Sequence, residues 1–174
     1  MSSYKEVRQV RLDKLQKIKD AGINPYPART ERGFSLAGVL EQTCFEELSG
    51  AATSVTLAGR VMSLRPQGGL IFLHVYDGTA KFQGLLKKEE GVKISVNGVN
   101  DLENLESGSL DGFDFFNEVV DIGDFVELSG KLFVTKRGEK TIAVESWKML
   151  SKSLRPLPEK WHGIQDVEEK LRRR

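Results

Sequence analysis

The chain has 174 residues, 39% hydrophobic and 29% charged, with 26 Lys and Arg against 25 Asp and Glu. That is enough for one core with appendages, and no apolar run approaches the roughly 18 residues of a membrane span. Cys44 is the only cysteine, which excludes an intrachain disulfide and a cysteine-based zinc site, and the charged stretch Met1 to Asp20 is unlike a signal peptide. A cytoplasmic address follows as the expectation.

Charge is segregated along the chain. Lys5, Arg8, Arg11, Lys14, Lys17 and Lys19 crowd the N-terminus, whereas Glu89, Glu90, Asp101, Glu103, Glu106, Asp111, Asp114, Glu118, Asp121 and Asp124 load the middle. Basic surface of this kind binds phosphate through counterion release, and equally serves as a solvated helix face.

Tyr4 to Ala21 carries Val7, Val10, Leu15 and Ile18 among long charged residues, which predicts an amphipathic helix with a thin apolar stripe. Gly22 stands at the C-cap position, and Pro25 and Pro27 prevent continuation. A shorter helix is predicted over Leu36 to Leu48.

From Ser54 the apolar pattern alternates with period two, and a first strand runs to Leu64 and Arg65. Gly68-Gly69 turns the chain into a second strand at Ile71 to Tyr76, and Asp77-Gly78 into a third at Lys81 to Leu86. Regular pattern lapses through Lys87 to Glu118, which reads as a long acidic surface insertion reaching Asp121; Phe113, Phe115 and Phe116 suit a short anchoring helix or, less well, base stacking. Strand pattern resumes at Phe125 to Thr135, turns at Arg137-Gly138 and ends at Thr141 to Met149. Residues 150–164, LSKSLRPLPEKWHGI, are a connector, because Pro156 and Pro158 hold the backbone extended.

Three strands, an insertion and two more strands is the order of an OB-fold, a mainly β, five-stranded Greek-key barrel whose strands 2 and 3 bind oligonucleotides. The same count fits an SH3-like barrel. The expected layout is an N-terminal helical extension over 1–50, the barrel over 51–150 with its long insertion between strands 3 and 4, and a linker over 151–174.

The ordered set of short motifs is more specific than the strand count. Gly22-Ile23-Asn24-Pro25-Tyr26-Pro27, Leu57-Ala58-Gly59-Arg60-Val61-Met62, Ile122-Gly123-Asp124, Gly130-Lys131-Leu132-Phe133, Thr135-Lys136 and Gly138-Glu139 resemble the anticodon-binding domain of class II lysyl-tRNA synthetases. Leu154-Arg155-Pro156-Leu157-Pro158 resembles their segment leading to the catalytic domain, and separates them from the aspartyl and asparaginyl enzymes that share the barrel. The resemblance implies binding of the tRNA-Lys anticodon loop by this segment. It further implies a lysine–tRNA ligase that uses ATP and Mg2+ in a catalytic domain beyond Arg174, a homodimeric full-length protein, and no cofactor in the segment itself. The segment Lys87 to Asp121 is longer and more acidic than the family pattern.

A uridine-rich unpaired ligand suits four residues. The similarity places Phe72 where the family stacks a base, although strand alternation also permits a core role. Gln83 donates and accepts as the uracil edge requires, or is an exposed amide. Arg65 offers a guanidinium to a carbonyl or a base plane, or forms a surface ion pair. Glu139 accepts from uracil N3–H and rejects cytosine, or is a plain turn charge. Lys5, Arg8, Arg11, Lys14, Arg60, Lys131, Lys136 and Arg137 are candidates for phosphate, which positions RNA without reading it. The sequence carries no phosphate loop, metal-ligand cluster or paired nucleophile and base, so no catalytic residue is assigned; His74 and His162 read as structural. A free-standing single-strand or tRNA-binding OB module, and an OB-like domain binding protein through its acidic insertion, remain alternatives.

Overall fold

The computed structural model describes residues 4–95 and 111–155. Its helices are α1 (Tyr4–Asp20), α2 (Leu36–Leu40), α3 (Gln42–Gly50) and α4 (Gly112–Val119). Its strands are β1 (Ser54–Gln67), β2 (Leu70–Tyr76), β3 (Lys81–Lys87), β4 (Lys93–Ile94), β5 (Phe125–Val134) and β6 (Lys140–Ser151). Among the described residues no helix is long and apolar enough to cross a membrane.

The strands run β3-β2-β1-β5-β6, and parallel pairing of β3 with β6 closes the ring. Long β1 is shared, its first half pairing antiparallel with β5 and its second with β2, and a bulge between Val61 and Ser63 marks the turnover. Alternation then sends Val55, Leu57, Val61, Ile71, Leu73, Val75, Val126 and Leu128 into the core, each at 3% exposure or less. Gly130 permits a close approach of β5 to β6: a Cβ there would stand 1.9 Å from the Ala143 carbonyl oxygen of β6.

Two expectations need correction. The helix predicted over Leu36 to Leu48 is two helices, broken where Glu41 adopts an extended backbone. At about 100° per residue, a single helix would turn Phe45 roughly 180° away from Leu36; the break lets both, and Val39, reach the core. The segment from Lys87 is also less irregular than its composition suggests. It holds a 3-10 turn at Lys88–Glu90, the sixth strand β4 parallel on β6, and α4. Asp111 caps α4 by accepting from the Phe113 and Asp114 amides. Phe113, Phe115 and Phe116 are buried, Phe116 edge-on to Trp147 with ring centroids 5.0 Å apart. The remaining acidic stretch, with Asp101, Glu103 and Glu106, lies outside the described residues, as do residues 156–174 of the connector.

α1 buries Ile18 and, unexpectedly, Arg11. The Arg11 guanidinium donates to the carbonyls of Ile122, Ser153 and Arg155 at 2.9 to 3.1 Å, so it fastens the start of the connector and is withdrawn from phosphate. Beside it, fully buried Lys152 donates to Val119 O, Asp121 Oδ2 and Asp124 Oδ2 at 2.6 to 2.7 Å. Burial raises the Asp121 carboxyl, but hydrogen bonds from Lys14 and Lys152 outweigh it and hold the group below its ordinary value. For fully buried Asp124 desolvation prevails and pushes the carboxyl up.

Asp77 ties the β2–β3 turn to α2, accepting from the Leu36, Thr79 and Ala80 amides and from Thr79 Oγ1. Burial opposes its ionisation, but these hydrogen bonds win and hold the carboxyl at about 2, against an ordinary 3.8. A carboxyl depressed on folding contributes stability above its unfolded pKa and loses it as pH falls through the folded one. Asp77 therefore contributes about 2 kcal/mol at neutral pH, lost between about pH 4 and pH 2. Urea denaturation across that window should show the parent converging on Asp77→Asn as the pH falls. By the same method, Gly130→Ala should cost about 3 kcal/mol or more, because backbone rather than a mobile side chain blocks the new methyl group.

Candidate nucleic-acid interface

The alternation that fills the core with Ile71, Leu73 and Val75 turns Phe72 and His74 to the outer face of β2. Register then assembles rows across the sheet. Arg65 of β1 stands opposite Phe72, and Phe72 opposite Leu85 of β3. Ser63 stands opposite His74, His74 opposite Gln83, and Gln83 opposite Thr141 of β6 through the parallel closure. The β5–β6 hairpin leans over these rows with Phe133, Thr135, Lys136, Arg137 and Glu139, and a cavity of about 700 Å³ lies between.

The hairpin is locally specified. Thr135 accepts the Gly138 amide on its carbonyl and the Glu139 amide on Oγ1, and its own amide donates to Glu139 O. Gly138 sits at φ 82°, a left-handed value that costs glycine little. This fixes the Glu139 backbone while leaving its side chain half exposed. His74 bridges the two walls, with Nδ1 3.0 Å from Ser63 Oγ and Nε2 3.2 Å from Glu139 Oε1.

All four residues expected to meet bases line this one cavity. Phe72 is only partly buried and stands apart from the core cluster. Arg65 is exposed, two residues before the end of β1. Gln83 departs from an exposed amide: it is 7% exposed and gives one amide hydrogen to Thr141 Oγ1 at 2.8 Å. Its orientation is thereby set by the strand that closes the barrel. Two aromatic rings, an amide, a guanidinium, a carboxylate and an imidazole, with lysine and arginine at the rim, make a surface that can stack a planar base and satisfy its polar edge.

A family model for an OB-fold nucleic acid binding domain, the tRNA anticodon family, matches residues 55–150. The chain belongs to this family. It is an anticodon-binding OB-fold domain that matches the N-terminal regions of lysine–tRNA ligases. The chain is 39% identical over 169 residues to the lysine–tRNA ligase of Pelotomaculum thermopropionicum, an alignment covering 97% of this chain and 29% of that protein. It is 38% identical over 170 residues to that of Roseiflexus, covering 97% and 31%, and 36% identical over 174 residues to that of Thermosipho africanus, covering 98% and 31%. The chain thus spans about a third of the length of these relatives.

Within this OB-fold domain the basic candidates separate into distinct groups. Lys136 and Arg137 line the cavity. Arg60 lies with its guanidinium 4.7 Å from the centre of the Phe125 ring, and Lys131 is 3.5 Å from Glu145; neither reaches the cavity. Lys5 and Arg8 are exposed on α1, whereas Lys14 pairs with Asp121 at 2.7 Å and Lys17 with Glu118. His74, Ser63, Phe133 and Thr141 were not singled out by sequence as site residues. His74 and Ser63 share the period-two phase of Phe72 and Arg65, which was the signal available for them.

Arg11→Ala should therefore behave as a stability variant. Removing the buried guanidinium takes the donor from three part-buried carbonyls and should cost about 1 to 2 kcal/mol in thermal or urea unfolding, whereas Arg8→Ala should stay within about 0.5 kcal/mol of the parent.

Proposed function

We propose that this domain binds the anticodon loop of a lysine tRNA and reads its uridines in the cavity between β1, β2, β3 and the β5–β6 hairpin. The observation that carries the reading is the convergence of Arg65, Phe72, Gln83 and Glu139, from three strands and a turn, on one cavity. Phe72 supplies the stacking face. Arg65 and the Gln83 amide address the carbonyl oxygens of uracil, and Glu139 accepts its N3–H. Cytosine, whose N3 has no hydrogen, leaves that carboxylate facing a lone pair. Lys136 and Arg137, with Lys5 and Arg8 on α1, hold phosphates.

The similarity to lysine–tRNA ligases supports a wider proposal. The full-length protein would be a cytoplasmic, homodimeric enzyme that activates lysine with ATP and Mg2+ and transfers it to tRNA. Those steps would take place in a separate catalytic domain, and this segment alone would have no aminoacylation activity.

Titration of the chain with a UUU anticodon stem-loop tests the reading. Binding should weaken steadily as salt rises, since each phosphate contact releases counterions. Phe72→Ala should remain folded, because the ring stands outside the core, and should lose about 1 to 3 kcal/mol of binding to uridine and cytidine loops alike. Glu139→Gln should instead reduce discrimination between UUU and CUC loops more than it reduces affinity for UUU. Folded variants that bind both loops as the parent does would refute the site.

A further inference from the structure

We infer that His74, oriented by Ser63, is a positioning residue that aims the Glu139 carboxylate into the cavity. The inference rests on the uridine-reading role of Glu139 and adds to it the groups that make that role selective.

For a neutral His74 ring, the chemistry of its two partners sets the direction of the hydrogen bonds. A carboxylate has no hydrogen to give, so the 3.2 Å contact between His74 Nε2 and Glu139 Oε1 requires the proton on Nε2. A neutral ring carrying that proton has a bare Nδ1, which can only accept. The hydrogen comes from the Ser63 hydroxyl, 3.0 Å away. A directed chain results, Ser63 O–H to His74 Nδ1, then His74 Nε2–H to Glu139 Oε1.

Glu139 needs such a restraint. Its backbone is fixed by the Thr135–Glu139 turn, but its side chain is 50% exposed at a hairpin tip and has three rotatable bonds. The same carboxylate, free to rotate, would accept from water and from Lys136 or Arg137 as readily as from a base. Held through Oε1, it presents Oε2 as a single acceptor. That is the feature distinguishing an N3–H from an unprotonated N3. The two anchors are rigid in turn: Ser63 and His74 are cross-strand partners on paired strands β1 and β2, and Gln83 flanks His74 from β3. The charged groups facing this chain are Arg65 from β1 and Lys136, Arg137 and Glu139 from the hairpin.

The test compares binding of UUU and CUC anticodon stem-loops by the parent, His74→Ala, His74→Gln, Glu139→Gln and the His74→Ala/Glu139→Gln double variant, each shown to be folded by its thermal transition. His74→Ala should lower the UUU-to-CUC preference about tenfold, the scale of one hydrogen bond to a charged group, and to about the level of Glu139→Gln. The double variant should fall no further, because both changes remove one function. His74→Gln places an amide N–H near the position of Nε2 and should restore most of the preference. In long-range 1H–15N spectra of the free parent chain, the His74 signals, identified by their loss in His74→Gln, should show the Nε2–H tautomer.

A Glu139→Gln variant that keeps the parent's preference overturns the uridine reading and this inference together. A lowered preference in Glu139→Gln with an unchanged one in His74→Ala overturns the inference alone. So does a further loss in the double variant, which would mean that His74 touches the base itself, and so does an Nδ1–H tautomer.

Discussion

The parallel pairing of Gln83–Leu85 with Thr141–Ala143 is the contact on which the rest of this domain depends. It converts a meander into a closed ring and leaves β3 no free edge on that side. It also connects two parts of the molecule that the chain keeps far apart. Ser63, His74 and Gln83 belong to the first three strands, whereas Glu139 stands on the hairpin leading into β6. Without the closure these groups share no surface. With it, the Gln83 amide is locked against Thr141, Thr141 Oγ1 bonds to the Glu139 carbonyl at 3.1 Å, and His74 reaches the Glu139 carboxylate. The walls of the cavity are a consequence of how the barrel closes.

The sheet separates stability from recognition by face. Inward residues of β2 are at 1% exposure or less, and each contributes on the order of 1.5 to 3 kcal/mol of burial. Their outward neighbours Phe72 and His74 are only partly buried and can be exchanged at smaller cost to the fold. An OB-fold can therefore present polar chemistry on strands whose pairing is held from behind. Groups seated on paired strands have little freedom left to lose, so a ligand meeting this face would cost little ordering of the protein.

Local signals carried much of this architecture. Period-two alternation located all five ring strands to within a few residues, but it left a core role open for Phe72 and put Arg65 in the phase of Val61, which the bulge between Val61 and Ser63 undoes. Three features escaped because their causes are not local. Glu41 breaks a helical pattern only because Leu36 and Phe45 must both meet the same core. β4 is two residues long and exists through its pairing with Ser146 and Trp147, far along the chain. Arg11 looked like one more cation on a basic helix, yet it stands seven residues before Ile18 and so on the same buried stripe. Val10, counted among the apolar stripe, is instead 53% exposed. The charge of a side chain predicts its partner's sign; whether that partner is an RNA phosphate or the chain's own carbonyl depends on tertiary placement.

Arg11 and Lys152 show what that placement achieves. Together they join α1, the end of α4, the turn before β5 and the residues following β6 in one buried polar junction. Among the described residues no buried side-chain nitrogen or oxygen is left without a hydrogen bond. Such a junction is a poor source of net stability, since burying Lys152 and Asp124 costs nearly what their attraction returns. What it supplies is direction. An apolar contact would tolerate sliding of the Ser151–Arg155 segment over the barrel, whereas Lys152 Nζ on three oxygens, Ser153 N on Asp124 Oδ1 and Arg11 on three carbonyls admit one arrangement. The chain thus leaves the barrel on a fixed heading, set by the same helix whose outer face carries Lys5 and Arg8. Basic surface and the Lys152–Arg155 segment are thereby held in one frame with the barrel.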